Sequence, residues 1–444
     1  MPKELLPMVI NFILERIYSG RRVMNDFNDH VISLLGCLGA ALSSPSQQVN
    51  NMLVEELSTD ISLNESNPLI LATLFEYASQ GSRLPACVEA LQALKSVFHF
   101  YPQLASQCWE RVTCLVANTF SASKFTATAK GKEPGSYGFI EEKALAGSVK
   151  VLDECLRAIS GFRGTEDLGD DKVNEAPFIS ESTRSKKVSS APSFVCENLE
   201  NTENEIQIFQ LGSKCWSQTV ENILPQLLQH KFAMVRTASV TCFAGITSLA
   251  FNSMSEEMQN FVIHSLLYAA VHDDVPSVRS SSCRAIGVVS CFLRYPQRAE
   301  IVERFFNAIE KNLNDPVVTV RTTASWALAN LCESMRHYME MKEYQYTPLD
   351  DEFMFRFTHV ALRLTKEGDK IKPNAVRGLG NLARYLNSSL SSDKGNLTHS
   401  EYSKRSSDSQ HKESLLDLVV QALLSCVTSG NVKANKFSGM FAMH

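Results

Sequence analysis

The stretch NDPVVTVRTTASWALANL, residues 314–331, constrains the fold more than any other part of the chain. Asn-Asp-Pro opens a helix. Asp315 suits the positive helix end, and Pro316 fits a first turn whose amides have no helical partner. Val320, Ala324, Ala327, Leu328 and Leu331 then recur at three- and four-residue steps, which places them on one helical face. The small residues among them allow a second helix to approach closely. Such a helix cannot bury its face alone, and the chain repeats it. The other copies read FAMVRTASVTCFAGITSLA from Phe232, VPSVRSSSCRAIGVVSCFL from Val275 and DKIKPNAVRGLGNLARYL from Asp369, with a partial copy from Asn431. Anchored on Arg236, Arg279, Arg321, Lys372 and Lys433, the copies lie 43, 42, 51 and 61 residues apart.

Each copy is preceded by another helical stretch: 215–230, 256–271, 299–313, 351–365 and 412–427. The two longer steps carry inserts, at 341–350 and in the Ser-rich segment 388–410, where loops absorb extra residues without breaking a stack. Residues 1–161 read as a run of helices at roughly 3–19, 26–43, 47–57, 68–80, 84–100, 103–121 and 139–161. Pro45, Pro68, Pro85 and Pro102 fall near the breaks. In the fifth of these helices Leu84, Val88, Leu91, Leu94, Val97 and Phe98 form an apolar stripe. Lys124–Gly138 reads as a polar loop. Residues 162–206 are rich in Ser, Glu, Asp and Lys and carry no stripe, so they read as a disordered insert. Strand signals are almost absent. The expected fold is all-α, with three regions: helices over 1–161, the insert at 162–206, and repeats over 207–440 with an incomplete last member.

The pattern D-x-P-x-V-R-x-x-A/S, followed by a helix of small residues at a period near 40–47, resembles HEAT repeats. The strings PSVRSSSCRAIGVVSCF, VVTVRTTASWALANLCES and KPNAVRGLGNLAR resemble one HEAT-repeat family in particular. RLPACVEALQALKSVFHFYPQLASQCWERV is similar to the helical region preceding the repeats in that family. The resemblance implies a right-handed α-solenoid of HEAT/armadillo-like helix pairs. It implies no activity, because that family has no established biochemical function. It also implies an array longer than this one, so the ending NVKANKFSGMFAMH suggests a truncated or alternative C-terminus with a poorly packed last repeat.

Composition narrows the function classes. The 444 residues carry a net charge of −5, which leaves no basic footprint and disfavours nucleic acid as a partner. No apolar run has the length of a membrane span. The N-terminal apolar stretch is interrupted by Pro7 and Asn11 and reads as an amphipathic helix, not a signal peptide. Twelve cysteines are scattered with no C-x-x-C pair, and most sit on apolar helical faces such as Cys283, Cys291 and Cys332. They read as reduced core thiols of an intracellular protein, cytoplasmic or nuclear and not secreted. No metal or cofactor is expected. Gly378, Gly380 and Ala383 match G-x-G-x-x-A, but a dinucleotide fingerprint needs a strand before it, and here it lies inside a repeat helix. No Ser/His/Asp or Cys/His arrangement with a local signature is present, and the chain reads as non-enzymatic.

Two sets of residues remain. Asp274, Asp315 and Asp369 precede the second helices, and Arg236, Arg279, Arg321 and Lys372 sit in their first turns. A cation there opposes the helix dipole and needs a partner. An acidic residue of a neighbouring turn would supply it, giving a structural ladder along the stack worth at most about 1 kcal/mol per exposed rung. The second set is Trp326, Asn330, Arg377 and Asn381. Trp326 lies two residues from Ala324 and from Leu328, roughly 200° around the helix from the core face. Asn330 stacks one turn on, and Arg377 and Asn381 occupy the same positions in the next repeat. The set resembles the W-x-x-x-N row of armadillo importins, whose asparagines hold an extended peptide. The row departs from that pattern at Thr241, Gly245, Arg284 and Val288. Trp326 is therefore expected either to pack on the adjacent repeat, to serve a partner, or to lie on the surface without binding. The function expected is protein–protein scaffolding on the curved face of a solenoid. The alternatives are importin-type peptide binding along this row and, less favoured, a regulatory subunit of an enzyme complex.

Overall fold

The computed structural model describes residues 3–20, 28–58, 69–79, 84–128, 136–162, 203–292, 299–340, 351–393 and 415–426. Among these residues every regular element is helical. The helices group into two units, each described separately below: residues 1–162 with 199–254, and residues from 255 onward.

The first unit contains α1 (Leu6–Gly20), α2 (Asn28–Leu42), α3 (Gln47–Ser58), α4 (Ile70–Ser79), α5 (Leu84–Phe100), α6 (Ala105–Thr128), α7 (Ser136–Ile159), α8 (Glu203–Asn222), α9 (Leu224–Leu228), α10 (Ala233–Cys242) and α11 (Ser248–Ser253). Helices α2, α5, α7 and α10 lie side by side. Helices α1, α4 and α6 pack against α2, α5 and α7, and the short α9 packs against α10. The buried face of α5 is wider than its sequence stripe. Ala86, Cys87, Ala90 and Ala93 are buried together with Leu91, Leu94, Val97 and Phe98, whereas Leu84 and Val88 are half-exposed. A helix in the middle of a row has neighbours on both flanks, and its alanines let them approach. Two stretches differ from expectation. The polar loop shortens, because α6 runs to Thr128 and α7 begins at Ser136. The copy starting at Phe232 is broken in two, because Thr247 accepts the Ala250 amide at 3.2 Å and caps a new helix.

The second unit contains α12 (Glu256–His272), α13 (Pro276–Val289), α14 (Ala299–Leu313), α15 (Val318–Glu340), α16 (Asp351–Leu364) and α17 (Lys372–Asp393), with a further helix, α18, at 415–426. Three antiparallel pairs, α12–α13, α14–α15 and α16–α17, stack so that α13, α15 and α17 form one layer and α12, α14 and α16 the other. Phe306 of α14 meets Phe357 of α16 edge-on at 4.6 Å between ring centroids, and Phe353 at 5.3 Å. Each such aromatic pair contributes roughly 0.5–1.5 kcal/mol beyond its burial. The fold is all-α, built of stacked helix pairs. The second helix of the expected last repeat, from Asn431, lies outside the described residues, as do most of the 162–206 insert and of the Ser-rich segment. The described edges are helical, since α8 starts at Glu203 and α17 runs to Asp393.

Candidate partner-binding row

The row forms where α13, α15 and α17 meet. Its keystone is a glycine. A Cβ on Gly287 of α13 would stand 2.6 Å from Trp326 Cζ3 and 2.9 Å from the Ala327 Cα, so only glycine leaves room for the indole. The Arg284 guanidinium lies over that ring, 4.5 Å from its centroid. Asn330 Nδ2 donates to the Gly287 carbonyl at 3.1 Å, and its Oδ1 accepts from Arg377 Nη2 at 2.5 Å. The same Arg377 nitrogen donates to the Trp326 carbonyl at 3.3 Å, and Arg377 Nη1 lies 3.5 Å from the Glu333 carboxylate. Asn381 donates to the Arg377 carbonyl at 3.2 Å and accepts from Arg336 Nε at 2.9 Å. One turn on, Ser334 donates to the Ser290 carbonyl at 2.8 Å.

The structure therefore brings Trp326, Asn330, Arg377 and Asn381 together, but places them in the seam between helices. Trp326 is 3% exposed, Asn330 fully buried and Asn381 5% exposed. A position some 200° from the core of a helix faces solvent only when that helix has one neighbour. Here α15 has three, in α13, α14 and α17. Of the sequence alternatives for Trp326, packing on the adjacent repeat is the one seen. What reaches the surface is the charged edge: Arg284, Glu333, Arg336 and, partly, Arg377, whose side chain is 13% exposed. Burial holds the Arg377 guanidinium below the ordinary arginine value, with Glu333 opposing the shift. Arginine stays charged regardless.

The residues expected to form a ladder do something more specific. Arg279 Nη1 donates to the carbonyls of Asp273 and Asp274 at 3.0 and 2.9 Å. Arg321 Nη1 does the same to Asp315 and Pro316 at 2.9 and 3.1 Å, and Arg236 Nη1 to His230 and Lys231 at 3.0 and 3.2 Å. Each arginine folds back over the turn joining its helix pair and ties down two loop carbonyls. One rung also crosses between pairs. Asp315 Oδ2 accepts from Arg279 Nε and Nη2 at 2.8 and 2.7 Å, while Oδ1 accepts the Val317 amide at 2.8 Å. Both side chains of that pair are nearly buried, at 15% and 6% exposure, unlike the exposed pair expected, so removing either partner would leave the other's charge buried without its counterion. In the preceding repeat the residue in the Asp315 role is Asp273, which accepts the Val275 amide at 2.9 Å; Asp274 supplies a carbonyl. The fourth repeat starts differently. The amides of Ile371 and Lys372 both donate to the Gly368 carbonyl, after Asp369 within the same turn.

The glycines of the dinucleotide-like string lie mid-helix in α17. A Cβ on Gly378 would meet Cys332 Sγ at 3.3 Å, consistent with close helix packing. Among the described residues no group of three or more His, Cys, Asp or Glu stands together as a metal site, and no helix is long and apolar enough to cross a membrane.

Residues 305–335, the end of α14 and most of α15, match the HEAT repeat family. That repeat contains Asp315, Arg321, Trp326 and Asn330. An uncharacterised protein of Dictyostelium discoideum is 27% identical over 163 residues, which are 37% of this chain and 11% of that protein. Among solved structures, Kap121p is similar at 12% identity, covering 98% of this chain and 43% of its own, with a TM-score of 0.34. A designed armadillo repeat protein in complex with the peptide (KR)4 is similar at 14% identity, over 55% of this chain and 95% of its own, with a TM-score of 0.33. Likenesses this weak carry no argument about function.

Proposed function

We propose that the chain is a non-enzymatic protein-binding scaffold or adaptor that presents the α13–α15–α17 layer to protein partners. The observation that carries this reading is the row itself. It runs unbroken across three helix pairs, with buried side chains fixing its base and charged ones forming its edge. A surface of that length can follow a segment of another protein, which is how repeat stacks provide binding faces. The HEAT repeat at 305–335 supports the same reading. The importin-type alternative, with peptide held directly by Trp326 and Asn330, is less favoured, because both are buried. The strings quoted above are also similar to HEAT repeat-containing protein 6, and that narrower kinship is part of the proposal, as is a cytoplasmic or nuclear location.

Proximity labelling of the full-length chain tests the reading, beside a variant in which Arg284 of the charged edge and Thr322, half-exposed on α15 four residues before Trp326, are replaced by Glu. Reproducible protein neighbours are expected, and some should be lost in the variant at an unchanged unfolding midpoint. No reproducible neighbour, or an identical set in the variant, would sink it.

A further inference from the structure

The turns that lead into α10, α13 and α15 share one arrangement. Asp273, six residues before Arg279, accepts the Val275 amide at 2.9 Å. Asp315, six before Arg321, accepts the Val317 amide at 2.8 Å. His230 stands six before Arg236, and its Nδ1 accepts the Phe232 amide at 3.3 Å. In all three the arginine donates back to the carbonyl of that same residue. The position is shared and the acceptor differs: a carboxylate in two turns, an imidazole nitrogen in the third.

The difference matters because α10 has no side-chain cap of its own. Phe232, at its N-cap, offers no acceptor. The other acceptor brought from outside is Glu142 of α7, which takes the Met234 amide at 2.9 Å. For Nδ1 to accept, the imidazole must be neutral with its proton on Nε2. The ring meets Phe120 of α6 at 6.0 Å between centroids and Phe232 at 5.2 Å. The charged groups facing it are Lys231 of its own turn, Arg236 of α10 and Glu142 of α7. Helix α9, before the turn, carries no charged residue. Burial and then Lys231 hold the ring below the ordinary histidine value, Arg236 adds to the push, and Glu142 opposes it. For a base lowered in the folded state, the contribution to stability is fully present above the unfolded value, near 6.5, and is lost as pH falls through the folded one.

We propose that His230 makes the start of α10 a pH-sensitive joint of the first unit. A proton taken from solvent onto Nδ1 turns the acceptor into a second N–H donor. The Phe232 amide is then released, a positive ring stands beside Lys231 and Arg236, and the first turn of α10 loosens from α7. The turns capped by Asp273 and Asp315 keep their hold, because a carboxylate still accepts at the pH where a histidine takes up its second proton. The inference concerns the first unit and is independent of which partner the α13–α15–α17 layer binds.

Hydrogen–deuterium exchange on the full chain tests this at about pH 7.5 and about pH 5.5, either side of the ordinary histidine value, with rates corrected for the intrinsic effect of pH. In wild type, protection over residues 232–236 is expected to fall severalfold at the lower pH, while that over 275–279 and 317–321 holds. H230D, which restores the acceptor the other two turns use, should hold at both. Should H230D not fold, wild type still decides: the His230 ring and the Phe232 amide, followed by NMR, should titrate with one midpoint. Protection over 232–236 that ignores pH, an equal fall at all three turns, an equal fall in H230D, or two separate midpoints would overturn the proposal.

Discussion

At the scale of single residues, Gly287 and Asp315 carry more of the second unit than their size suggests. An alanine at Gly287 would set a methyl group against both the Trp326 ring and the backbone of Ala327. Neither is the end of a flexible side chain, so the two helices must part. Gly287→Ala is expected to destabilise by about 1–3 kcal/mol, read as a lower urea midpoint; an unchanged midpoint would show that the seam can yield. Asp315→Ala removes both an amide cap and the carboxylate of a nearly buried pair. The expected loss is about 3 kcal/mol, and a double-mutant cycle with Arg279→Ala should return a clear coupling energy. The Arg279–Asp315 contact was partly legible in the sequence, since acidic and basic residues recur at fixed places. The role of Asp273 was also there to be read. It stands six residues before Arg279, as Asp315 stands six before Arg321, but the D-x-P pattern picks out Asp274 instead. The Gly287–Trp326 fit was not legible. It depends on how deeply two helices interlock, which periodicity does not encode.

At the scale of helices, the number of neighbours decides which side chains are covered. The stripe of α5 and the buried row of α15 both exceed what a one-sided helix would bury, because both helices sit inside a layer. That is why α5, α14 and most other boundaries could be read from the sequence to within a few residues, while the exposure of Trp326 could not. Helices also finish one another. Glu56 of α3 accepts the Leu71 and Ala72 amides at 2.9 and 2.7 Å, capping α4 from outside. Burial raises the Glu56 carboxyl above its ordinary value, although those amides and Arg111 pull the other way. For an acid raised in the folded state, the contribution to stability is fully present below the unfolded value, near 4.3, and is lost as pH rises through the folded one. Wild type minus Glu56→Gln, measured by urea unfolding, should therefore be largest at the acid end of the titration and shrink toward neutrality. A difference that widens with rising pH would contradict this account.

At the scale of the whole molecule, the packing of residues 203–254 is the informative feature. In the sequence they are the first member of the repeat series, yet in the structure they are built onto α7. Arg157 donates to the Thr241 carbonyl at 3.3 Å, and Glu142 accepts the Met234 amide at 2.9 Å. A polypeptide of residues 207–444 lacks α7, so residues 233–253 should lose amide-exchange protection in it and keep it in one of residues 1–254. Equal protection in both would mean that α10 does not depend on α7. The repeat period revealed the helix pairs because each needs a similar apolar face. It could not show which neighbour each pair leans on, because that depends on unlike contacts at each joint.

Those unlike contacts bear on how such a chain can change over time. The indole of α15 fits the notch at Gly287, Asn330 and Ser334 reach particular carbonyls of the pair before, and Arg377 reaches Asn330 from the pair after. No two junctions share a lock. Removing α14 and α15 would set α17, which has Arg377 where α15 has Trp326, against a gap cut for an indole. Duplicating them would press a second indole onto Ala329, one residue before Asn330, where α13 offers Gly287. The pairs look interchangeable in the sequence, but their order is written into the joints, so the array can drift at its surface far more readily than it can lose, gain or reorder its members.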